Sequence, residues 1–331
     1  MAVVRPLAEI LFHETGAVGD PQAARGTAGA PREPSVREPD FALSLPDASR
    51  LVELSFGRVF LGDHGPALGT ATVAPPLLLL HGLLVTSHSF ARLIPELAGD
   101  RRVLAPDLPG CGDSDRPPPV LCADYSARWL AAALLELLDD LGLAQVDLVG
   151  HSWGGAIAVC LADAAPARVR RLVLVDPTLF AMPVPFEGRL ARVPRLGPYM
   201  FQNMYRRNEL RRYLGRAFST EKLVDEADVD LYWDRLARSG GREAAHAILM
   251  QLHGADTMAA MLPRMRALQV PTLVVWGDRD SIVPREHADQ VVAAIPGAAL
   301  RWLAGCGHTP PEEQPEALAA LLREHLDAPF C

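Results

Sequence analysis

The chain has 331 residues, of which 49% are hydrophobic and 22% are charged, and its formal net charge is −8 at pH 7. This size and composition allow either one large α/β domain with an insertion or two domains. The negative charge without a basic stripe excludes nucleic acid as the expected partner, and no apolar run is long enough to span a bilayer.

The five cysteines have spacings that fit neither a zinc site nor a disulfide framework. We therefore expect reduced thiols, a cytoplasmic protein and no metal. Residues from about His13 to Asp47 are rich in Ala, Gly, Pro, Arg and Glu without periodicity, which predicts a disordered N-terminal extension over residues 1–49. Pro6 and Glu9 interrupt the first apolar run, which is therefore not typical of a signal peptide.

Strand patterns and helix patterns alternate from residue 50 to residue 177. The predicted strands are Leu51–Phe56, Arg58–Gly62, Pro76–His81, Arg102–Ala105, Val146–Val149 and Val169–Val175. The predicted helices are Ser87–Leu97, Tyr125–Leu141 and Ala156–Ala165. This alternation indicates a mostly parallel sheet that is covered by helices on both faces.

The alternation stops between residues 178 and 268, where apolar residues repeat at helical spacing. The helices predicted there are Pro198–Arg206, Glu209–Ala217, Ala227–Arg238, Arg242–Leu252 and Met258–Ala267. A helical insertion between two strands predicts a cap over the strand ends, spanning 178–268.

The alternation resumes over residues 269–331. The predicted elements there are the strands Thr272–Trp276 and Ala299–Leu303 and the helices Arg285–Ile295 and Gln314–Leu326. Residues 50–177 and 269–331 would then form one core, whose sheet has about eight strands.

A G-x-S-x-G pattern, Gly150 to Gly154, stands between a predicted strand and a predicted helix. A serine on such a sharp turn has an exposed hydroxyl, and flanking glycines avoid collisions with the neighbouring backbone. The N-terminus of the following helix favours negative charge close to the serine. Ser152 is therefore the candidate nucleophile.

A serine nucleophile needs a histidine base and a carboxylate that orients the base. His308 lies in a glycine-containing loop after the last strand, at the same edge of a parallel sheet as Ser152. Asp278 and Asp280 follow the predicted strand Thr272–Trp276, which precedes the last strand. Asp278 is more typical of a turn residue. Asp176, after the preceding strand, is an alternative carboxylate.

Two backbone amides are candidates for an oxyanion hole. The N–H of Trp153 directly follows the nucleophile, and the N–H of Leu83 lies in the loop after Pro76–His81.

These motifs resemble the α/β-hydrolase superfamily, and in particular its capped, esterase-like branch. The matching pieces are His81-Gly82, D-L-P-G-C-G-D-S from Asp107, G-H-S-W-G-G from Gly150, W-G-D-R-D-S-I-V-P from Trp276 and G-H-T-P-P-E-E-Q-P from Gly307. The resemblance covers residues 51 to 327 and implies the α/β-hydrolase fold. It selects Asp280 as the carboxylate, because Ser281 to Pro284 complete the family's pattern. The order Ser152, Asp280, His308 is also that of the family.

The resemblance implies a serine hydrolase without a cofactor, and the first expectation is a carboxylic-ester hydrolase acting on a small-molecule ester. Carbon–carbon bond hydrolases and cofactor-free haloperoxidases, which act as perhydrolases, share the same triad and stay open. Haloalkane dehalogenases and epoxide hydrolases resemble the elbow but use aspartate as nucleophile, so Ser152 favours acyl transfer.

An acyltransferase and a slow-turnover small-molecule receptor are the alternatives of another class. The candidate walls of the substrate pocket are Leu83, Leu84, Trp153, Phe180, Met182, Met200 and Tyr205. The sequence carries no signal for the oligomeric state.

Overall fold

The computed structural model of the chain describes residues 49–66, 74–119, 124–181, 189–252, 254 and 259–329. The predicted N-terminal extension, apart from its last residue, and the candidate pocket residue Met182 lie outside these ranges. Within the described ranges, no helix is long and apolar enough to cross a membrane.

Eight strands form one sheet in the order β1-β2-β4-β3-β5-β6-β7-β8. They are β1 (Arg50–Leu54), β2 (Gly57–His64), β3 (Leu77–Leu80), β4 (Val103–Pro106), β5 (Val146–His151), β6 (Val169–Val175), β7 (Thr272–Gly277) and β8 (Ala299–Leu303). β2 is antiparallel to β1 and to β4, and the remaining neighbours are parallel. The carboxyl ends of β3 to β8 therefore meet at one edge.

The central strands are apolar at nearly every position because the sheet is buried on both faces. Successive side chains point to opposite faces. In β3, Leu78 and Leu80 pack in one core cluster, whereas Leu77 and Leu79 pack in the other. The sequence therefore builds two hydrophobic layers with the sheet between them.

Helices cover both faces. They are α1 (Ile94–Leu97), α2 (Ala127–Asp140), α3 (Trp153–Ala164), α4 (Leu196–Met204), α5 (Arg207–Ala217), α6 (Glu226–Ala237), α7 (Gly241–Leu252), α8 (Met261–Ala267), α9 (Glu286–Ala294), α10 (Pro310–Glu313) and α11 (Pro315–Leu326). Helices α4 to α8 lie between β6 and β7, which is the helical insertion that the sequence predicts. The eight strands and these helices form the α/β-hydrolase fold.

The predicted helix Ser87–Leu97 is wrong in one respect, because the structure splits it into a 3₁₀ turn, Ser87–Phe90, and the short helix α1. The Thr86 side chain caps the turn by accepting a hydrogen bond from the His88 amide at 3.2 Å. Pro95 has no N–H to donate to the preceding turn, so one continuous helix would lose that hydrogen bond. The apolar spacing predicts the buried positions correctly but does not predict the break between the turn and the helix.

A polar cluster ties helix α6 of the insertion to the core. The Tyr232 hydroxyl donates a hydrogen bond to Glu312 Oε1 at 3.0 Å, and His88 Nε2 donates to Asp228 Oδ1 at 2.9 Å. Arg92 donates to the Glu312 carbonyl oxygen at 3.1 Å. Burial raises the pKa of Glu312 to about 8, and the nearby Asp228 charge also raises it. The folded protein therefore holds a neutral Glu312 at neutral pH.

Replacing Glu312 with glutamine should stabilise the protein at alkaline pH. The ordinary pKa of this carboxyl is 4.5, so the unfolded chain releases a proton that the folded chain keeps up to about pH 8. Wild-type stability therefore falls as pH rises through that interval, by at most about 1.4 kcal/mol per pH unit. Glutamine still accepts the Tyr232 hydrogen bond but does not ionise.

Urea unfolding at about pH 5 and about pH 9 measures this effect. We expect the two proteins to differ little at the lower pH, and the variant to be more stable by a few kcal/mol at the higher pH. Glu316→Gln, on the exposed face of α11, is the matched control. If the free energies of unfolding of Glu312→Gln and wild type differ by the same amount at both pH values, the result would contradict a neutral Glu312.

Candidate active site

Ser152 lies between the end of β5 and the start of α3. Its backbone has φ 54° and ψ −117°, a conformation that costs free energy and recurs at functional sites. A Cβ at Gly150 would lie 2.4 Å from the carbonyl oxygen of Gly154, and a Cβ at Gly154 would lie 2.2 Å from that of Leu80. Only glycine fits at these two positions, which explains the flanking residues of the motif.

The structure brings Ser152, His308 and Asp280 together. His308 Nε2 lies 3.0 Å from Ser152 Oγ, and His308 Nδ1 lies 2.8 Å from Asp280 Oδ2. The other oxygen of Asp280 accepts hydrogen bonds from the amides of Ile282 at 2.7 Å and Val283 at 3.0 Å. Because the carboxylate accepts from Nδ1–H, Nε2 is free to accept the serine proton. This is the arrangement that general-base activation of a serine requires.

The two other candidate carboxylates have different partners. Asp278 Oδ1 accepts a hydrogen bond from the Gly305 amide at 2.6 Å in an exposed turn. Asp176 is fully buried behind Asp280, and its Oδ1 accepts from the Gly277 amide at 2.9 Å. Asp280 is therefore the carboxylate that contacts the imidazole, as the sequence motif predicts.

The loop after β3 lies against the serine. A Cβ at Gly82 would be 3.1 Å from Ser152 Cβ, so the backbone that leads into Leu83 passes directly beside the elbow. Buried His81 fixes this loop: Nδ1–H donates to the Gly82 carbonyl oxygen at 2.8 Å, and Nε2 accepts from the Leu108 amide at 3.0 Å. Burial lowers the pKa of His81, which keeps it neutral, as these two opposite roles require.

Trp153 is the first residue of α3, and an amide at that position has no acceptor inside its own helix. Its N–H and that of Leu83 are the two donors the sequence predicts for an oxyanion. The structure places Trp153 after Ser152 and Leu83 in the neighbouring loop.

Three further contacts of the site are not predicted by the sequence motifs. His151 Nε2–H donates to the His308 carbonyl oxygen at 2.7 Å, and the Ala217 carbonyl oxygen accepts from the His308 amide at 2.6 Å. Thr178 Oγ1 lies 3.4 Å from Ser152 Oγ. Burial, together with the neighbouring His308, lowers the pKa of His151 to about 3, so His151 is neutral. Its hydrogen bond to the His308 carbonyl oxygen stabilises the loop that carries His308.

A small cavity of about 20 Å³ borders the loop after β3. Leu83 and Leu84 line it, as expected, and its other walls include Cys111, Arg116, Tyr232, Leu236 and Ile248. The other expected pocket walls that the structure describes do not line this cavity. Tyr205 stacks on Phe201 inside the insertion, and Phe180 packs against His287, while Met200 and Trp153 are buried in the core.

Asp176, Asp280 and His308 present donor atoms within 4.8 Å of one another, the spacing of a metal site. Asp280 already accepts three hydrogen bonds, one of them from His308. Hydrogen bonds from His308, Ile282 and Val283 therefore account for the position of Asp280 in this group. The described cysteines, Cys111, Cys160 and Cys306, are free thiols.

Known proteins resemble this chain in sequence and in fold. The sequence profile of the family described as "alpha/beta hydrolase fold" matches residues 75–315. A 2-hydroxymuconate semialdehyde hydrolase from Pseudomonas sp. (strain CF600) is 34% identical over 286 residues, covering 85% of this chain and 94% of that protein. A protein of the same name from Pseudomonas putida is 32% identical over 294 residues, covering 85% and 95%. The crystal structure of wild-type Cfl2 from Burkholderia cenocepacia, 29% identical, superposes with a TM-score of 0.71 over 83% of this chain and 94% of that one.

Proposed function

We propose that this chain, which belongs to the α/β-hydrolase family, hydrolyses a carbon–carbon bond next to a carbonyl group through Ser152. The observation that supports a serine mechanism is the pair of hydrogen bonds joining Ser152, His308 and Asp280 at 3.0 and 2.8 Å. The same geometry serves esters and activated carbon–carbon bonds, because both reactions begin with addition of an alkoxide to a carbonyl carbon.

In the proposed reaction, His308 removes the Ser152 proton while Oγ forms a bond to the substrate carbonyl carbon. The carbonyl oxygen becomes an oxyanion between the amides of Leu83 and Trp153. When the carbonyl re-forms, the carbon–carbon bond breaks, its electron pair leaves on the departing carbon, and His308 returns the proton there. Water, deprotonated by His308, then adds to the acyl carbon. The bond from that carbon to Oγ breaks, His308 returns the proton to Oγ, and the acyl group leaves as a carboxylic acid.

The names of the two relatives favour carbon–carbon cleavage over ester hydrolysis, which the sequence analysis placed first. Each is a hydrolase of 2-hydroxymuconate semialdehyde, a substrate whose name describes an unsaturated chain with an aldehyde at one end and a carboxylate at the other. Such conjugation lets the departing carbon delocalise its electron pair, which makes the cleavage chemically accessible.

Arg116 supports an acidic substrate. It lines the cavity beside Leu83, and its Nε is a buried donor that has no acceptor among the described residues. Its terminal nitrogens donate to backbone carbonyl oxygens, which hold the side chain in place. A guanidinium that is held in place beside a cavity suits a carboxylate.

Ester hydrolysis is the second candidate, and the apolar cavity wall is equally compatible with it. Leu83, Leu84, Leu236 and Ile248 all line the cavity and would contact an acyl chain without discriminating between ester and ketone. The two reactions differ in the group that leaves, so direct comparison of substrates separates them.

We expect purified protein to hydrolyse 2-hydroxymuconate semialdehyde with a kcat/KM at least about 100-fold above that for p-nitrophenyl acetate or butyrate. Loss of the substrate's conjugated absorbance and release of p-nitrophenol measure the two activities. The Ser152→Ala protein supplies the background for both. The reverse ranking would make the chain an ester hydrolase. Serine labelling without turnover of either substrate would contradict both and favour an acyltransferase or a receptor.

A further inference from the structure

Asp176 is a buried carboxyl group that the proposed mechanism does not use. It is the first residue after β6, it has no solvent exposure, and its backbone adopts φ 42°, an unusual value for a residue other than glycine. Its amide donates to the Val275 carbonyl oxygen at 3.0 Å, and its Oδ1 accepts from the Gly277 amide at 2.9 Å. Two bonds to β7 therefore hold a strained residue in one orientation.

The orientation points Asp176 at the carboxylate of the triad. One carboxylate oxygen of Asp176, one of Asp280 and a ring nitrogen of His308 all lie within 4.8 Å of one another. Asp176 Oδ2 is buried and has no hydrogen-bond donor among the described residues. Two ionised carboxylates at this separation in a dry site would repel each other, and the free oxygen would be an unsatisfied acceptor.

One proton resolves both problems. Asp280 acts as the acceptor in this pair, because its three hydrogen bonds come from His308 Nδ1–H and from the amides of Ile282 and Val283. A proton on Asp176 would turn the unsatisfied oxygen into a donor and would place that donor beside a carboxylate.

We propose that Asp176 is a positioning residue, held as a neutral carboxylic acid that donates a hydrogen bond to Asp280 and so fixes the carboxylate that orients His308. This inference rests on the proposed serine mechanism. The charged groups that surround Asp176 agree with it. Burial raises the pKa of Asp176 well above its ordinary range, and the negative charges of Asp280 and Glu313 raise it further. The Cys306 thiol, whose own pKa burial raises, stays neutral.

Asp176→Asn and Asp176→Ala test the proposal, with the rate of covalent inactivation by a serine-directed fluorophosphonate as the readout. This probe needs an activated Ser152 but not the natural substrate. Asparagine keeps a neutral acceptor for Gly277 and a neutral donor for Asp280, so we expect an inactivation rate within about threefold of wild type. The acidic limb of its pH profile should keep its midpoint, because no charge has been removed.

Alanine removes the donor, so we expect a rate about 10- to 100-fold lower, with the acidic limb moved to higher pH because the Asp280 charge is less dispersed. Thermal unfolding of each variant confirms that the fold is present.

Two results would overturn the proposal. If the acidic limb of Asp176→Asn moves down by about one pH unit or more, wild-type Asp176 carries a negative charge. If a folded Asp176→Ala keeps the wild-type rate and profile, Asp176 does not position Asp280. Wild-type protein that resists inactivation altogether would instead count against the serine mechanism, so the two failures are distinguishable.

Discussion

Ser152→Ala should lower kcat/KM by about 10⁴- to 10⁶-fold while the protein stays folded. The substitution removes the only atom that the proposed mechanism bonds to the substrate, and it leaves the bond between His308 and Asp280 in place. Alanine must adopt the same positive φ as Ser152, so a small loss of stability is expected as well. Steady-state kinetics and thermal unfolding separate the two effects.

Covalent labelling makes the Ser152 prediction specific. A fluorophosphonate should add one adduct to the wild-type protein by intact mass and none to Ser152→Ala. Ser239→Ala, an exposed serine next to the end of α6, is the matched control and should label like wild type. An adduct on Ser152→Ala would place the nucleophile elsewhere and would overturn the proposed function.

The strand–turn–helix around Ser152 and the positions of its two partners could be predicted from sequence because each depends on local chemistry. Glycines on both sides of a serine, an apolar run with flanking turns and a histidine that follows glycines are each visible within ten residues. Because successive parallel strands end on the same side of the sheet, the residues that follow them meet at one edge.

The contacts that support the triad could not be predicted, because they join distant segments through groups without a distinctive pattern. The Ala217 carbonyl oxygen that accepts from the His308 amide belongs to the end of α5, 91 residues away in the printed numbering. Ser281 Oγ donates to the Arg216 carbonyl oxygen at 2.6 Å, one residue earlier on the same helix end. Backbone carbonyls exist at every residue, so the sequence does not mark the two that matter.

These two contacts join the insertion to the loops that carry the base and the acid. The end of α5 contacts the loop of the base, through His308, and the loop of the acid, through Ser281. A shift of α5 would therefore move the base and the acid loop together.

Asp280→Asn should lower kcat by about 10³- to 10⁴-fold and change KM little, because Asp280 contacts His308 rather than the substrate. The structure dictates why a nearly isosteric change is severe. The amides of Ile282 and Val283 both donate to Asp280 Oδ1, so the asparagine oxygen must occupy that position. The asparagine NH₂ then faces His308 Nδ1 and makes it an acceptor. The imidazole proton moves to Nε2, where it points at Ser152 and blocks general-base attack.

Kinetics at several pH values and fluorophosphonate inactivation measure this effect. Asp289→Asn, an exposed residue of α9, changes the net charge equally without touching the site and should behave like wild type. The comparison with Asp176→Asn is sharper, because the two aspartates are neighbours in the same buried pocket. Asparagine at position 176 mimics a neutral acid, whereas asparagine at position 280 forces the wrong tautomer of His308. Only the substitution of Asp280 should therefore inactivate the enzyme. A loss of less than about tenfold for Asp280→Asn would show that another group orients His308.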